Sequence, residues 1–240
     1  MKISYILFFI VIFVGACSNK LEVTGKDYVY EKMLFDTHRF TFEIHLENIG
    51  NSQKFSKLIE KLIYQDKNFD EYAAYTENEF IGNINKDFYP QMIDDDGTEY
   101  FYHSDLIKKF NIISYNNSFV IVKYSDYLYY AGAAHGIFQY IYYIIDIAEE
   151  KILKIDDLIT PFPDDVLKEM IEEKYEIGYY FDEPIWSPDT INFNKDNIEL
   201  LWNVYRIAPY VYGAITIEIP DAINKSYLTE KGKQLKRLIK

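Results

Sequence analysis

Residues 118–130 read SFVIVKYSDYLYY, residues 131–136 read AGAAHG, and residues 137–147 read IFQYIYYIIDI. Both outer runs are rich in Val, Ile, Phe and Tyr, side chains that suit a pleated, half-buried surface, and the connection between them is made of small residues. The stretch therefore predicts a β-hairpin at the centre of the main sheet. Working outward, Phe40, Phe42, Ile44 and Leu46 alternate with Thr41, Glu43 and His45, which predicts a second strand with one buried face and His45 on the polar one. Asn51 or Ser52 is placed to cap a helix whose stripe is Phe55, Leu58, Ile59, Leu62 and Ile63. Residues 69–88 predict a second helix with Tyr72, Ala73, Phe80, Ile84 and Phe88 inward, ended by Pro90.

From Thr98 to Tyr115 two short strands are expected around Asp105, with a turn at Asn116-Asn117. After the hairpin, Pro161 and Pro163 precede a helix carrying Val166, Leu167, Met170, Ile171 and Tyr175 on one face. Phe193 and Ile198–Trp202 flank Asn194-Lys195-Asp196-Asn197 as another hairpin, Ala214–Ile219 reads as a strand stopped by Pro220, and Ser226 is placed to cap a closing helix. This order predicts an α+β fold, a largely antiparallel sheet with helices packed on it.

The chain has 240 residues, 49% hydrophobic and 26% charged, enough to fold as one large domain or two small ones with a real core. Its 24 Tyr and 17 Phe fit wet binding surfaces as well as sheet faces or a plain compositional bias. The net charge is −13, a field that repels nucleic acid and draws cationic partners. Residues 1–16 have the parts of a secretory leader: Lys2, the apolar run Ile3–Val14, then Gly15-Ala16 before Cys17. Val14-Gly15-Ala16-Cys17 resembles a bacterial lipobox, which makes Cys17, the single cysteine, the expected lipid anchor; a plain leader or an orphan thiol is the alternative. The expected organisation is a leader over 1–16, a lipidated tether over 17–27, an N-terminal α+β portion over 28–115 and a C-terminal portion over 116–240, the last two forming one compact unit. The expected location is the cell envelope, on the outer membrane facing the periplasm in a Gram-negative cell.

Two stretches carry a family resemblance. Tyr130-Ala131-Gly132-Ala133-Ala134-His135-Gly136, followed by a strand, Asp146 and Ile155-Asp156-Asp157-Leu158-Ile159, resembles a pattern of Gly-Gly-Ala-His, strand, Asp and a leucine-Asp-leucine helix start. Tyr205-Arg206-Ile207-Ala208-Pro209-Tyr210, with Gly213 and Ile219-Pro220, looks like the same family's second motif. The family is the RsiV-type extracellular domain, a domain of unknown function common in envelope lipoproteins. The resemblance implies a binding module facing the cell wall: one better-studied relative senses lysozyme by binding it, and another accompanies a peptidoglycan deacetylase whose catalysis lies in a separate domain. Ala133 departs from the family's second glycine, and Arg206 from its glutamate.

The candidate ligand contacts are Tyr130, Gly132, His135, Arg206 and Tyr210. No nucleophile elbow, phosphate-cradling loop or clustered metal ligands are legible, and no metal or cofactor is expected. Asp94-Asp95-Asp96-Gly97 reads as an acidic turn rather than a calcium loop. His135, flanked by small residues, is the best single acid–base candidate; the competing reading is that its ring bonds a backbone carbonyl and fixes the turn. The expected function is non-enzymatic binding of a cell-wall component or a cationic wall-active protein such as lysozyme. The alternative is a wall-glycan hydrolase or transferase using His135 with a nearby carboxylate.

Overall fold

A computed structural model describes residues 22–34, 38–50, 52–84, 92–93, 95–97, 99–100, 102–177, 185 and 188–239. The expected hairpin is there: β6 (Phe119–Tyr129) and β7 (Ile137–Asp146) pair antiparallel from Phe119↔Asp146 to Leu128↔Ile137. They belong to a six-stranded sheet ordered β1 (Val23–Leu34), β2 (His38–Ile49), β5 (Tyr102–Tyr115), β6, β7 and β8 (Lys151–Ile152). All neighbours are antiparallel except β2 and β5, which run parallel. A parallel pair needs a crossover. Here it contains α1 (Gln53–Leu62), α2 (Phe69–Gly82) and a small hairpin of β3 (Met92–Ile93) and β4 (Glu99–Tyr100).

The fold class is thus α+β with a largely antiparallel sheet, as the element order predicts. Ser52 caps α1 by accepting from Phe55 N–H, and Asn68 and Glu71 form a capping box on α2. Tyr72, Ala73 and Phe80 of α2 are buried, as is Ile84 beyond its end; the helix stops at Gly82 with Asn83 as its C-cap, short of the expected 69–88, and Phe88 lies outside the described residues. Residues 95–96 form the exposed acidic turn.

Three further expectations are corrected. Val23 to Asp27, part of the stretch read as a tether, is strand, because β1 pairs with β2 from Val23↔Ile49 onward. Residues 102–115 form one long strand rather than two around Asp105: Asp105 pairs with Thr41 and Tyr129, and its partly exposed carboxylate meets His103 at 2.9 Å, so it does not interrupt the ladder. The break is a bulge between Ile112 and Ser114. Thr229, not Ser226, caps the closing helix α6 (Glu230–Leu238). Ser226 instead donates to Ile223 C=O, while the bridge between Ile159 and Leu228 carries the chain past Ser226 before the helix can start.

Alternation along β6 divides the core. Val120, Val122 and Tyr124 join Phe40, Phe42, Ile44, Leu46 and the α1 and α2 stripes on one face. Phe119 and Ile121, with Ile144, join a second cluster on the other. That cluster is completed by a three-stranded sheet of β9 (Thr190–Phe193), β10 (Asn197–Trp202) and β11 (Ile215–Pro220). The short α3 (Ile155–Leu158) and α5 (Asp221–Asn224), the longer α4 (Asp164–Tyr175) and α6 surround it. Trp202, fully buried, donates its indole N–H to Ile185 C=O at 3.0 Å. Among the described residues the second cluster covers only the 119–121 end of β6, and the rest of that sheet face, toward Tyr127, is partly exposed.

Candidate functional site

The site begins with the turn between β6 and β7. Ala133 N–H donates to Tyr130 C=O at 3.0 Å across a turn in which Gly132 has φ +85°, a left-handed value that glycine adopts without a side-chain clash. Ala131 N–H donates to Ser104 Oγ at 2.9 Å, and Ser104 is itself buried and 3.0 Å from His38 Nε2, so the turn is tied to β2 and β5. Gly136 has a different requirement. A Cβ there would stand 2.2 Å from the Tyr127 ring, so only glycine lets that ring lie against the backbone.

The second half is the loop 203–213. Asn203 accepts from Tyr140 N–H at 2.7 Å and donates to Tyr140 C=O at 3.1 Å. Thr190 Oγ1 does the same one pleat along, at Tyr142. Two side chains therefore stand in for a neighbouring strand on this edge of β7. Asp189 accepts from Asn203 N–H at 2.7 Å and meets Arg206 Nε at 3.3 Å, which pins the start of the loop. Tyr205 follows with φ +63° and 47% exposure, an uncommon left-handed backbone for a bulky residue.

These two pieces converge. Tyr210 donates its hydroxyl to Gly136 C=O at 3.0 Å and lays its ring on His135, centroids 3.7 Å apart at 17°. His135 Nε2 is 3.0 Å from the Tyr205 hydroxyl, and Nδ1 is 3.2 Å from Gly136 C=O. A neutral ring protonated on Nδ1 satisfies both contacts. Among the described residues no carboxylate touches His135, so the acid–base pair required by the hydrolytic alternative is not assembled there. Nor do the described residues contain three or more His, Cys, Asp or Glu grouped to hold a metal.

Of the expected contacts, His135 and Tyr210 come together and Gly132 shapes the turn beside them. Arg206 is engaged with Asp189 through its positive charge. Ala133 needs no glycine because Gly132 takes the left-handed position. Tyr130 points elsewhere: its ring stacks on Phe80 of α2 at 5.6 Å, on the opposite sheet face, beside a hollow of about 180 Å³ that includes Lys108 and Asp126. Cys17 lies outside the described residues, and no described helix is long and apolar enough to cross a membrane.

Sequence reading missed Asn203, Asp189, Tyr205, Tyr127 and Phe138. The last two were findable by alternation. Tyr127 and Phe138 face each other across the ladder, rings 4.5 Å apart, on the side of the sheet that the second cluster leaves uncovered. Lys123 lies over Tyr140 at 5.4 Å and Tyr142 at 6.0 Å on the same face.

Residues 134–222 match the model of a family described as "Protein of unknown function (DUF3298)". Every residue of the loop-to-turn cluster from His135 to Tyr210 falls inside that segment. Among solved structures the chain is similar to a DUF3298 family member from Bacteroides fragilis NCTC 9343, at TM-score 0.62 and 18% identity, covering 88% of this chain and 94% of that one. It is also similar to a DUF3298 family protein from Pseudomonas aeruginosa PAO1, at TM-score 0.55 and 14% identity, covering 88% of this chain and 95% of that one. These likenesses concern the fold. No curated protein matches the chain.

Proposed function

We propose that this chain, which carries a DUF3298 segment over residues 134–222, is a cell-envelope lipoprotein that works as a non-enzymatic binding module. Its ligand is a cationic wall-active protein such as lysozyme. The observation that carries the reading is the hydrogen-bonded aromatic cluster of half-buried His135 and Tyr210 with exposed Tyr205. Its polar atoms bond one another and the backbone, leaving ring faces and edges for a partner. Rigid aromatic anchors lose little conformational freedom on binding and recur at the centres of interfaces. A net charge of −13 favours and accelerates encounter with a basic protein. The RsiV-type resemblance points the same way, and the leader over 1–16 followed by Cys17 supports a lipid anchor on the outer membrane facing the periplasm in a Gram-negative cell.

The second reading, a wall-glycan fragment as ligand, is favoured by the same stacked rings, since sugars present apolar C–H faces to aromatics. Calorimetric titration of the chain from Ser18 onward, which retains every described element, tests both. Lysozyme binding that weakens as salt rises, and that is lost in Tyr205→Ala with Tyr210→Ala, supports the first. Binding of soluble peptidoglycan fragments without turnover supports the second. Turnover would overturn the non-enzymatic reading, and silence from both ligands would overturn the binding reading.

A further inference from the structure

The open face of the main sheet holds a row of aromatic side chains that the loop cluster does not use. Pairing of β5 with β6 and of β6 with β7 sets Ile107 beside Tyr127 and Phe138, Lys109 beside Ser125 and Tyr140, and Asn111 beside Lys123 and Tyr142. Because alternate residues share a face, all of these side chains stand on one side of the sheet. Among the described residues the second hydrophobic cluster covers that side only as far as Ile121 and Ile144, and Tyr142 packs at its margin. Beyond the margin lies a hollow of about 350 Å³ whose lining includes Ile107, Lys109, Ser125, Tyr127, Phe138 and Tyr140.

We propose that this face is an extended saccharide-binding track, on which a linear glycan lies across Tyr142, Tyr140 and the Tyr127–Phe138 pair and runs on to the Tyr210–His135 stack. The inference rests on the second reading of function, a wall glycan as ligand, and gives that ligand further contacts on the sheet beyond the loop cluster. Three features select a sugar chain. The pair of rings at the centre of the track is packed before any ligand arrives: Tyr127 lies against Gly136, and Phe138 lies 4.5 Å from it. Preorganised rings bind the C–H face of a pyranose without a further ordering cost. Each ring also has polar neighbours. Lys109 and Glu43, 2.6 Å apart, offer a donor and an acceptor side by side, and Ser125 offers both in one group, which matches vicinal hydroxyls better than it matches an apolar peptide face. Finally, the rings form a line. Same-face residues on a strand are roughly 6.5–7 Å apart, so the row spans several sugar units rather than one.

Phe138 is 42% exposed although it has no polar atom, so it belongs to the surface. Removing it leaves the core intact. Tyr140→Phe keeps the ring, and Tyr140→Ala removes it.

The test is calorimetric titration of the chain from Ser18 onward with soluble β-linked N-acetylglucosamine oligomers, from the disaccharide to the hexasaccharide. Melting curves confirm that each variant is folded. The expected result is affinity that rises with chain length, falls about threefold to tenfold in Phe138→Ala and in Tyr140→Ala, and is kept in Tyr140→Phe. Oligomer binding that ignores these variants but is lost in Tyr205→Ala with Tyr210→Ala would overturn the track and keep the glycan reading at the loop cluster. No oligomer binding, combined with lysozyme binding lost in Phe138→Ala, would overturn it by making the face a protein contact.

Discussion

At the scale of single residues, Gly136 carries the tightest constraint at the site. Its Cα lies under the Tyr127 ring, and Gly136→Ala would force that ring out of place, destabilising the fold by about 1–3 kcal/mol as measured by urea unfolding. Two histidines show opposite dependences on pH. His45 lies between Asp27, 2.6 Å from Nδ1, and Glu47, 3.2 Å from Nε2; burial opposes its charge, but the two carboxylates outweigh burial and raise its pKa above the usual 6.5. The stability it adds is complete below pH ~6.5 and is lost as pH rises through the raised value. His38 is buried against Ser104, and burial, with His103 nearby, lowers its pKa. Its contribution is present above pH ~6.5 and is lost on acidification through the lowered value. Unfolding free energies followed between about pH 5 and 8 should therefore fall less steeply on the alkaline side in His45→Gln, an effect of up to ~1 kcal/mol. An unchanged alkaline limb would mean that the two carboxylates do not hold His45 charged. His45 was legible as a polar-face residue from alternation alone. Of its two acidic partners, Glu47 lies two positions on along the same face, but Asp27 was not legible, because it comes from the neighbouring strand.

At the scale of elements, sequence served best where the signal is local. The Ser52 cap, the α1 stripe and the β6–β7 hairpin depend on residues a few positions apart, and all were legible. The start of α6 was not. Ser226 and Thr229 are both competent caps by type, and the choice between them is made by the bridge between Ile159 and Leu228, which is 69 positions long in sequence and invisible to any window. Thr229 accepts from Gly232 N–H at 3.1 Å and donates to Asp157 C=O at 2.7 Å, so Thr229→Ala should cost about 1–2 kcal/mol in thermal or urea unfolding, whereas Ser226→Ala should leave stability within ~0.5 kcal/mol. Equal effects would remove Thr229 as the cap. The edge of β7 makes the same point. Asn203 follows Trp202 in a loop and carries no signature of its own, yet it satisfies both backbone groups of Tyr140 from 63 positions away.

At the scale of the whole molecule, Asp146 joins the main sheet to the C-terminal layer. It is 3% exposed; burial works against its charge, but Lys231 at 2.6 Å and the N–H groups of Ala148 and Glu149 more than offset that and hold its carboxyl below the usual range. Asp146→Ala should destabilise by about 1–3 kcal/mol at neutral pH, with the difference shrinking as pH falls through the lowered pKa of the native carboxyl. Direction also follows from the topology. Val23 pairs with Ile49 at the end of the sheet that holds Asp146, while residues 131–136 and the aromatic cluster lie at the other end. Twelve residues of β1 span about 40 Å. A lipid on Cys17, as proposed, would thus enter the fold at the end opposite the proposed site. Lysozyme should then bind the lipidated chain on vesicles as tightly as the chain from Ser18 in solution, and Cys17→Ser should release the protein from the membrane fraction; retention there would overturn the anchor. What the sequence by itself determined was the class of fold, the central hairpin, most local caps and the residue types at the turn, because periodicity, capping and small-residue turns act over a few positions. Only the tertiary structure decided that Tyr130 faces α2 while His135 meets Tyr205 and Tyr210, that Arg206 serves Asp189, and that the aromatic row on β6 and β7 is left open. Those outcomes depend on which sheet face the C-terminal layer covers, and coverage is set by the sum of burial across segments far apart in the chain.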